Sequence, residues 1–303
     1  MGSEGKEDGE SDSSGLSEVL IGLMGSGIGR WAMSLSSKVK DKILKSDVGK
    51  TAKGFLEEMY EKYLIQKVMQ RPRPEHIAII LDGNRRYARE LGIGINKGHE
   101  LGGDKLKDAV QWCYDLGVKA LTIYLFSTEN FKRDEKEVDY LMSLFEKYFR
   151  EAGDNEEVHK HRVRIKAIGQ LDLLPEGVRK AIRYVEERTE DYADYLINVA
   201  IAYGGREEII RAIQNIALEA KNNGFDIENI DERLVSEHLY TKGAPDPDLV
   251  LRTSGEARIS NFLLWQLAYS ELYFEDVCWP KLSKADFLNA IRAYQERDRR
   301  FGL

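Results

Sequence analysis

From position 76 onward, short apolar runs alternate with longer stretches whose apolar residues recur every three or four positions. The runs are HIAIIL (76–81), ALTIYLF (120–126), VRIKAIG (163–169), YLINVAIAY (195–203), LVLRT (249–253) and ELYFEDV (271–277). Their length and β-branched content suit strands. Between and after them, 105–116, 135–150, 206–221 and 284–297 carry helical periodicity. Strand and helix in alternation predict an α/β fold: a central, mostly parallel six-stranded sheet flanked by helices.

Upstream the pattern changes. Residues 1–15 are acidic, polar and low in complexity, and read as a disordered tail. Residues 16–71 read as a helical arm, with Phe55, Met59, Leu64 and Val68 at helical spacing and lysines interleaved between Lys38 and Lys53. Such a stretch can lie on anionic lipid or pack on protein. RPRP (71–74) breaks it, and the main domain is expected over 75–303.

Composition narrows the function classes. The chain has 303 residues, 42% hydrophobic and 32% charged, with net charge −7, so no basic field points to nucleic acid. Two cysteines, Cys113 and Cys278, sit in apolar contexts and read as buried thiols, not as a disulfide. The five histidines show no zinc-ligand spacing with them. The acidic start lacks the basic region of a signal peptide, and VLIGLMGSGIG (19–29) falls short of the roughly 20 apolar residues a spanning helix needs. The expected location is the cytoplasm, with peripheral membrane contact through the arm.

The chemistry gathers at strand ends, where parallel sheets bind ligands. HIAIIL stops in Asp82-Gly83-Asn84-Arg85-Arg86, with a helix starting at once. Free N–H groups at a helix start and arginine forks both suit phosphate oxygens. A lone aspartate among them fits Mg²⁺ bridging those oxygens, although Asp82 as a simple helix cap reads equally well. FSTENFKR (126–133), YGGREE (203–208) and LRTSGEARISNF (251–262) repeat the theme at further strand ends, which favours a site for several phosphates. GxxxxGK[ST], GxGxxG after a strand and DDxxD are all absent.

These motifs, HIAIILDGNRRYA, YLFSTENFKR, NVAIAYGGREEI, DLVLRTSGEARISNFLLWQLAYSELYF and the terminal RRFGL, resemble the cis-prenyltransferases, the undecaprenyl and dehydrodolichyl diphosphate synthase family. The resemblance covers essentially 75–303. DGNRRYA and ENFKR look archaeal or eukaryotic; bacterial members usually carry glycine at Arg85 and tryptophan at Tyr87 and Phe131.

The resemblance implies condensation of isopentenyl diphosphate with an allylic diphosphate primer, farnesyl or geranylgeranyl diphosphate, over a hydrophobic product tunnel, for glycosyl-carrier lipid synthesis. Asp82 would hold Mg²⁺ on the allylic diphosphate, and Glu271 would reach the same metal region. Gly83, Asn84, Arg85, Arg86 and His99 would cradle that diphosphate, with Tyr87 and Phe131 on the adjacent wall. Ser127 and Asn130, with Thr128, Glu129 and Arg133 beside them, would orient isopentenyl diphosphate, Asn130 taking part in proton removal. Arg252, Arg258, Ile259 and Ser260 would bind its diphosphate. Arg300 and Gly302 match a motif that reaches across a homodimer, with SNFLLWQLAYSELYF as the apolar dimer surface.

Some readings compete. Ser127 and Asn130 could merely cap the next helix, and Phe145, Tyr148, Phe149, Leu263, Leu264 and Trp265 read as core more than substrate wall. Where bacterial relatives carry an arginine this chain has Ile95, with Lys97 as the candidate replacement. Leu125 and Tyr195 add bulk along the expected tunnel, so a product no longer than the usual carrier lipid is expected. Transfer to another acceptor, an alcohol or second allylic diphosphate, and a non-catalytic scaffold subunit are the alternative functions.

Overall fold

The structure, a computed structural model, describes residues 47–223 and 227–297. The chain divides at Gln70–Arg71 into two units. The first contributes one described helix, α1 (Asp47–Met69). The expected acidic tail and most of the arm lie outside the described residues.

The second unit opens on β1 (His76–Ile80), buried at every position because it lies in mid-sheet with covered faces. The seven-residue α2 (Asn84–Glu90) and the long α3 (Ile95–Asp115) follow. β2 (Ala120–Ser127) runs into a 3₁₀ turn, Thr128–Lys132, then α4 (Glu135–Asp154) and the short α5 (Glu156–Lys160). β3 (Val163–Ile168), α6 (Glu176–Thr189), β4 (Tyr195–Tyr203) and α7 (Gly205–Asn223) continue the alternation. After α8 (Glu232–His238) come β5 (Leu249–Arg252), β6 (Glu271–Phe274) and α9 (Lys284–Glu296).

The six strands form one sheet in the order β3-β4-β2-β1-β5-β6, with every pairing parallel. "Mostly parallel" thus becomes wholly parallel. The edges follow the physics of exposure: β3 alternates buried with more exposed positions and β6 is only half-buried, whereas β1 and the inner length of β4 are buried throughout and mainly apolar, His76 and Asn198 excepted. One polar thread crosses the middle of the sheet. His76 Nε2 meets Thr122 Oγ1 at 2.8 Å, and Asn198 Nδ2 donates to the same oxygen at 3.3 Å. His76 Nδ1 meets the Pro245 carbonyl at 2.6 Å, and burial pulls its pKa down to about 4.

Helix α3 approaches the start of α2 through small residues. A Cβ on Gly98 would stand 2.6 Å from the Asn84 carbonyl oxygen, and one on Gly102 2.4 Å from Asn84 Oδ1. The missing side chains let α3 press the DGN turn against the sheet. Burial raises the Cys113 thiol to about 12; Cys278 is half-buried against Gly83, less enclosed than its sequence context suggested.

Candidate active site

Because all strands run the same way, the ends of β1, β2 and β5 open on one edge of the sheet. In register, Ile80 of β1 pairs with both Tyr124 of β2 and Arg252 of β5. Asp82 therefore lands beside Arg252, whose Nη2 donates to its Oδ2 at 2.7 Å. Arg252 is buried, 4% exposed, while Asp82 is 28% exposed. The aspartate backbone is clamped as well: its N–H donates to Thr253 Oγ1 at 3.1 Å, and its carbonyl accepts from that hydroxyl at 2.7 Å and from Trp279 N–H at 2.9 Å. Gly83 has φ of +106°, and a Cβ there would lie 2.9 Å from the Cys278 backbone, so only glycine turns the chain here.

Cations ring this carboxylate. Arg86 stands 3.5 Å from it and donates to the Ser254 carbonyl at 2.8 Å. Arg252 Nη1 donates to Ser260 Oγ at 2.8 Å and to the Arg258 carbonyl, shaping the loop after β5. Ser254, Ser260, Asn261 and Leu263 of that loop have positive φ, backbone strain of the kind found at binding sites. Asn261 ties it to α7, its carbonyl accepting from Gly205 N–H at 2.7 Å and its Oδ1 from Arg206 N–H at 2.9 Å.

A second cluster, which sequence reading did not find, centres on Glu137 in the first turn of α4. This carboxylate, 7% exposed, is shared by His99 at 3.1 Å, Arg133 at 3.3 Å and Arg85 at 3.7 Å. Burial lowers the pKa of His99, the Glu137 contact opposing that shift, and burial likewise lowers Arg133. Asn84 Oδ1, Arg85 Nε, Arg252 Nε and Ser254 Oγ are buried here without a hydrogen-bond partner. Native proteins rarely strand polar atoms in this way, so the turn is built to receive an outside partner.

Below this mouth lies a cavity of about 1100 Å³ between the sheet and helices α3 and α4. Its polar end is lined by Asp82, Gly83, Asn84, Arg85, Arg86, His99, Ser127, Glu129, Asn130, Arg133, Arg252, Arg258 and Ser260, all sequence-predicted. Its shaft is apolar, walled by residues such as Leu106, Val110, Leu125, Leu141, Phe145 and Phe149. Tyr114 and His161, 3.8 Å apart between ring centroids, line its far end. Ser127 N–H donates to Asn130 Oδ1 at 3.1 Å, so the expected cap exists, and the amide offers a ligand its Nδ2 hydrogens.

Several expectations need correction. Glu271 opens β6 and pairs in register with Leu249, whereas Arg252 pairs with Phe274. It therefore sits at the far end of a parallel strand, ion-paired with Arg297 at 2.6 Å, and shares no metal with Asp82 within one chain. Tyr87, Thr128, Phe131 and Ile259 do not line the cavity: Tyr87 lies under Lys281, and Phe131 stands edge-on to Phe126. Lys97 pairs with Glu100 at 2.7 Å and does not stand in for an arginine. Tyr195 backs Tyr114 instead of lining the shaft, while Phe145, Tyr148 and Phe149, read as core, form its wall. Phe262 and Leu263 are fully buried in the core, so that part of the expected dimer surface faces inward. Arg300 and Gly302 lie outside the described residues.

The donor set also bears on metal binding. Among the described residues no three His, Cys, Asp or Glu side chains come together. Asp82 alone could hold only a hard cation that takes its other ligands from phosphate and water, which is how Mg²⁺ binds. The site fits such an ion only in company with a diphosphate.

Residues 80–302 match the prenyltransferase family model described as undecaprenyl diphosphate synthase. The chain belongs to this family. It is 52% identical over 246 residues to the tritrans,polycis-undecaprenyl-diphosphate synthase (geranylgeranyl-diphosphate specific) of Methanocaldococcus jannaschii, covering 80% of this chain and 88% of that one. The same enzyme of Thermoplasma acidophilum is 52% identical, with 80% and 95% covered. Among solved structures, lavandulyl diphosphate synthase from Lavandula x intermedia in complex with dimethylallyl diphosphate superimposes with TM-score 0.73 at 38% identity, covering 76% of this chain and 99% of that one. A probable undecaprenyl diphosphate synthase from Campylobacter jejuni gives 0.63 at 33%, covering 77% and 100%. The protein is thus a prenyltransferase, on the fold these structures share.

Proposed function

We propose that this prenyltransferase makes a polyprenyl diphosphate from a geranylgeranyl diphosphate primer, with Mg²⁺, as precursor of a glycosyl-carrier lipid. The supporting observation is the joining of a cation-ringed carboxylate, with stranded polar atoms about it, to an apolar shaft of about 1100 Å³. The primer preference comes from the archaeal relatives, whose names specify geranylgeranyl diphosphate.

In each round the allylic C–O bond breaks and pyrophosphate leaves. A C–C bond forms to isopentenyl diphosphate, which then loses a proton. No protein nucleophile is needed; the demand is to neutralise charge building on the leaving oxygen. Arg85, Arg86 and His99 stand where that diphosphate would lie, while Arg252, Arg258, Ser260 and Arg133 face the second. Asn130, through Nδ2, positions isopentenyl diphosphate near its departing proton. Mg²⁺, held by Asp82 together with diphosphate oxygens, would supply Lewis-acid stabilisation of the leaving group. The apolar shaft keeps water from the reactive carbon and houses the lengthening chain. Catalysis by a homodimer, completed by Arg300 and Gly302 from a second copy, is part of this proposal.

Incubation with labelled isopentenyl diphosphate and dimethylallyl, farnesyl or geranylgeranyl diphosphate tests it. Elongation is expected to be fastest with geranylgeranyl diphosphate, to stop with EDTA and to return with Mg²⁺. Failure to extend any primer, or label appearing only in a single-condensation branched product, would overturn the reading.

A further inference from the structure

The Glu137 carboxylate is an odd neighbour for a site that must bind two diphosphates. It is buried, it lines no part of the cavity wall, and it is shared by three groups from three different segments: Arg85 from α2, His99 from α3 and Arg133 from the loop entering α4. All three of those groups do line the cavity mouth. Arg85 Nε lies 3.7 Å from Glu137 yet makes no hydrogen bond, so its grip on the carboxylate is loose.

We propose that Glu137 is an internal competitor for the diphosphate, a positioning residue that takes the cations back and so speeds pyrophosphate release between rounds. This rests on the functional reading above. Repeated extension requires that each pyrophosphate be discharged before the lengthened chain can re-enter the same cradle. A mouth with this many arginines would otherwise hold the leaving product tightly, because charge-assisted hydrogen bonds are strong. A fixed carboxylate behind the cations weakens their hold on any incoming anion. It also gives them a partner when the anion goes, so the empty cradle keeps its shape.

The alternative, that Glu137 is purely an organiser holding mutually repelling cations together, predicts the opposite sign. Removing an organiser lets Arg85 and Arg133 swing apart and weakens diphosphate binding. Removing a competitor strengthens it.

The test is calorimetric titration of inorganic diphosphate, with Mg²⁺ present, into the intact wild-type protein, Glu137→Gln and Glu137→Asp. The glutamine variant should bind on the order of tenfold or more tightly, the usual weight of a hydrogen bond to a charged group. The aspartate variant, with its carboxylate drawn back by one methylene, should shift the same way by less, and it decides the matter if glutamine prevents folding. In turnover, the steady-state kcat of Glu137→Gln should fall relative to its own single-round rate, and inorganic diphosphate should inhibit it at lower concentration. Unchanged or weaker binding in the folded variants would overturn the proposal and leave the prenyltransferase reading intact. No diphosphate binding by the wild type would overturn both.

Discussion

Arg252 at the end of β5 donates to Asp82 just beyond the end of β1, 2.7 Å apart across neighbouring parallel strands. With a buried guanidinium on one side and an open mouth on the other, Asp82 is held ready for a cation but not consumed by the pair. Asp82→Ala should therefore lower kcat by at least 10²–10³-fold, about 3–4 kcal/mol of transition-state stabilisation, with the fold retained. Steady-state incorporation of labelled isopentenyl diphosphate, alongside a circular-dichroism melt, checks both halves. A variant that elongates at the wild-type rate would remove Asp82 from the chemistry.

The glycines of α3 give a prediction about shape. Gly98→Ala places a methyl 2.6 Å from the Asn84 carbonyl, backbone that cannot step aside, and should cost about 1–3 kcal/mol of stability. Gly102→Ala meets only the Asn84 side chain, at 2.4 Å from Oδ1. It should be milder in a denaturant melt but should raise KM for the allylic diphosphate, because Asn84 lines the mouth. Equal effects of the two on stability, with KM untouched, would contradict this division.

Product length should respond to Tyr114 more than to Tyr195. Tyr114 lines the far end of the cavity, whereas Tyr195 only packs behind it, ring centroids 5.1 Å apart. Tyr114→Ala, and to a lesser extent Leu125→Ala on the shaft, should shift product chromatograms toward longer chains; Tyr195→Ala should move them less. If Tyr195 dominates, the shaft ends elsewhere.

His76 predicts the acid limb of stability. It is neutral when buried, with a pKa near 4 against about 6.5 in an unfolded chain, so the unfolded state binds the extra proton between those values. Stability from this group is complete above pH 6.5 and drains as pH falls toward 4, a total of about 3 kcal/mol. His76→Asn should start less stable at neutral pH yet lose less on acidification. Urea melts at several pH values, compared between the two proteins, measure the difference in slope.

The strands were legible because a wholly parallel sheet writes its inner members as unbroken apolar runs, as at Ile77 to Ile80. Helix α3 starts at Ile95, ten residues before its expected start at 105, since glycines at 98, 102 and 103 hide the helical period where they allow close packing. Asp82, Arg86 and Arg252 stood out as charges ending apolar runs. Glu137 did not, because an acid in the first turn of a helix looks like an ordinary favourable end charge. Phe145 and Phe149 misled for a related reason: a cavity wall and a solid core present the same apolar helix face to the sequence. Glu271 needed the register, which alone tells which end of a parallel strand a residue occupies.

The strand order places β1 between two neighbours with different duties. Toward β2, β4 and β3 the sheet forms one side of the apolar shaft; toward β5 it carries the guanidinium that meets Asp82. The charged heads thus meet residues from both sides of β1, while the oily tail is accommodated on one side only. The length of lipid such a scaffold manufactures can be retuned at Leu106, Val110, Leu141 and Phe145, while His99 on the same helix as the first two, and the strand-end residues that read phosphorus chemistry, stay as they were.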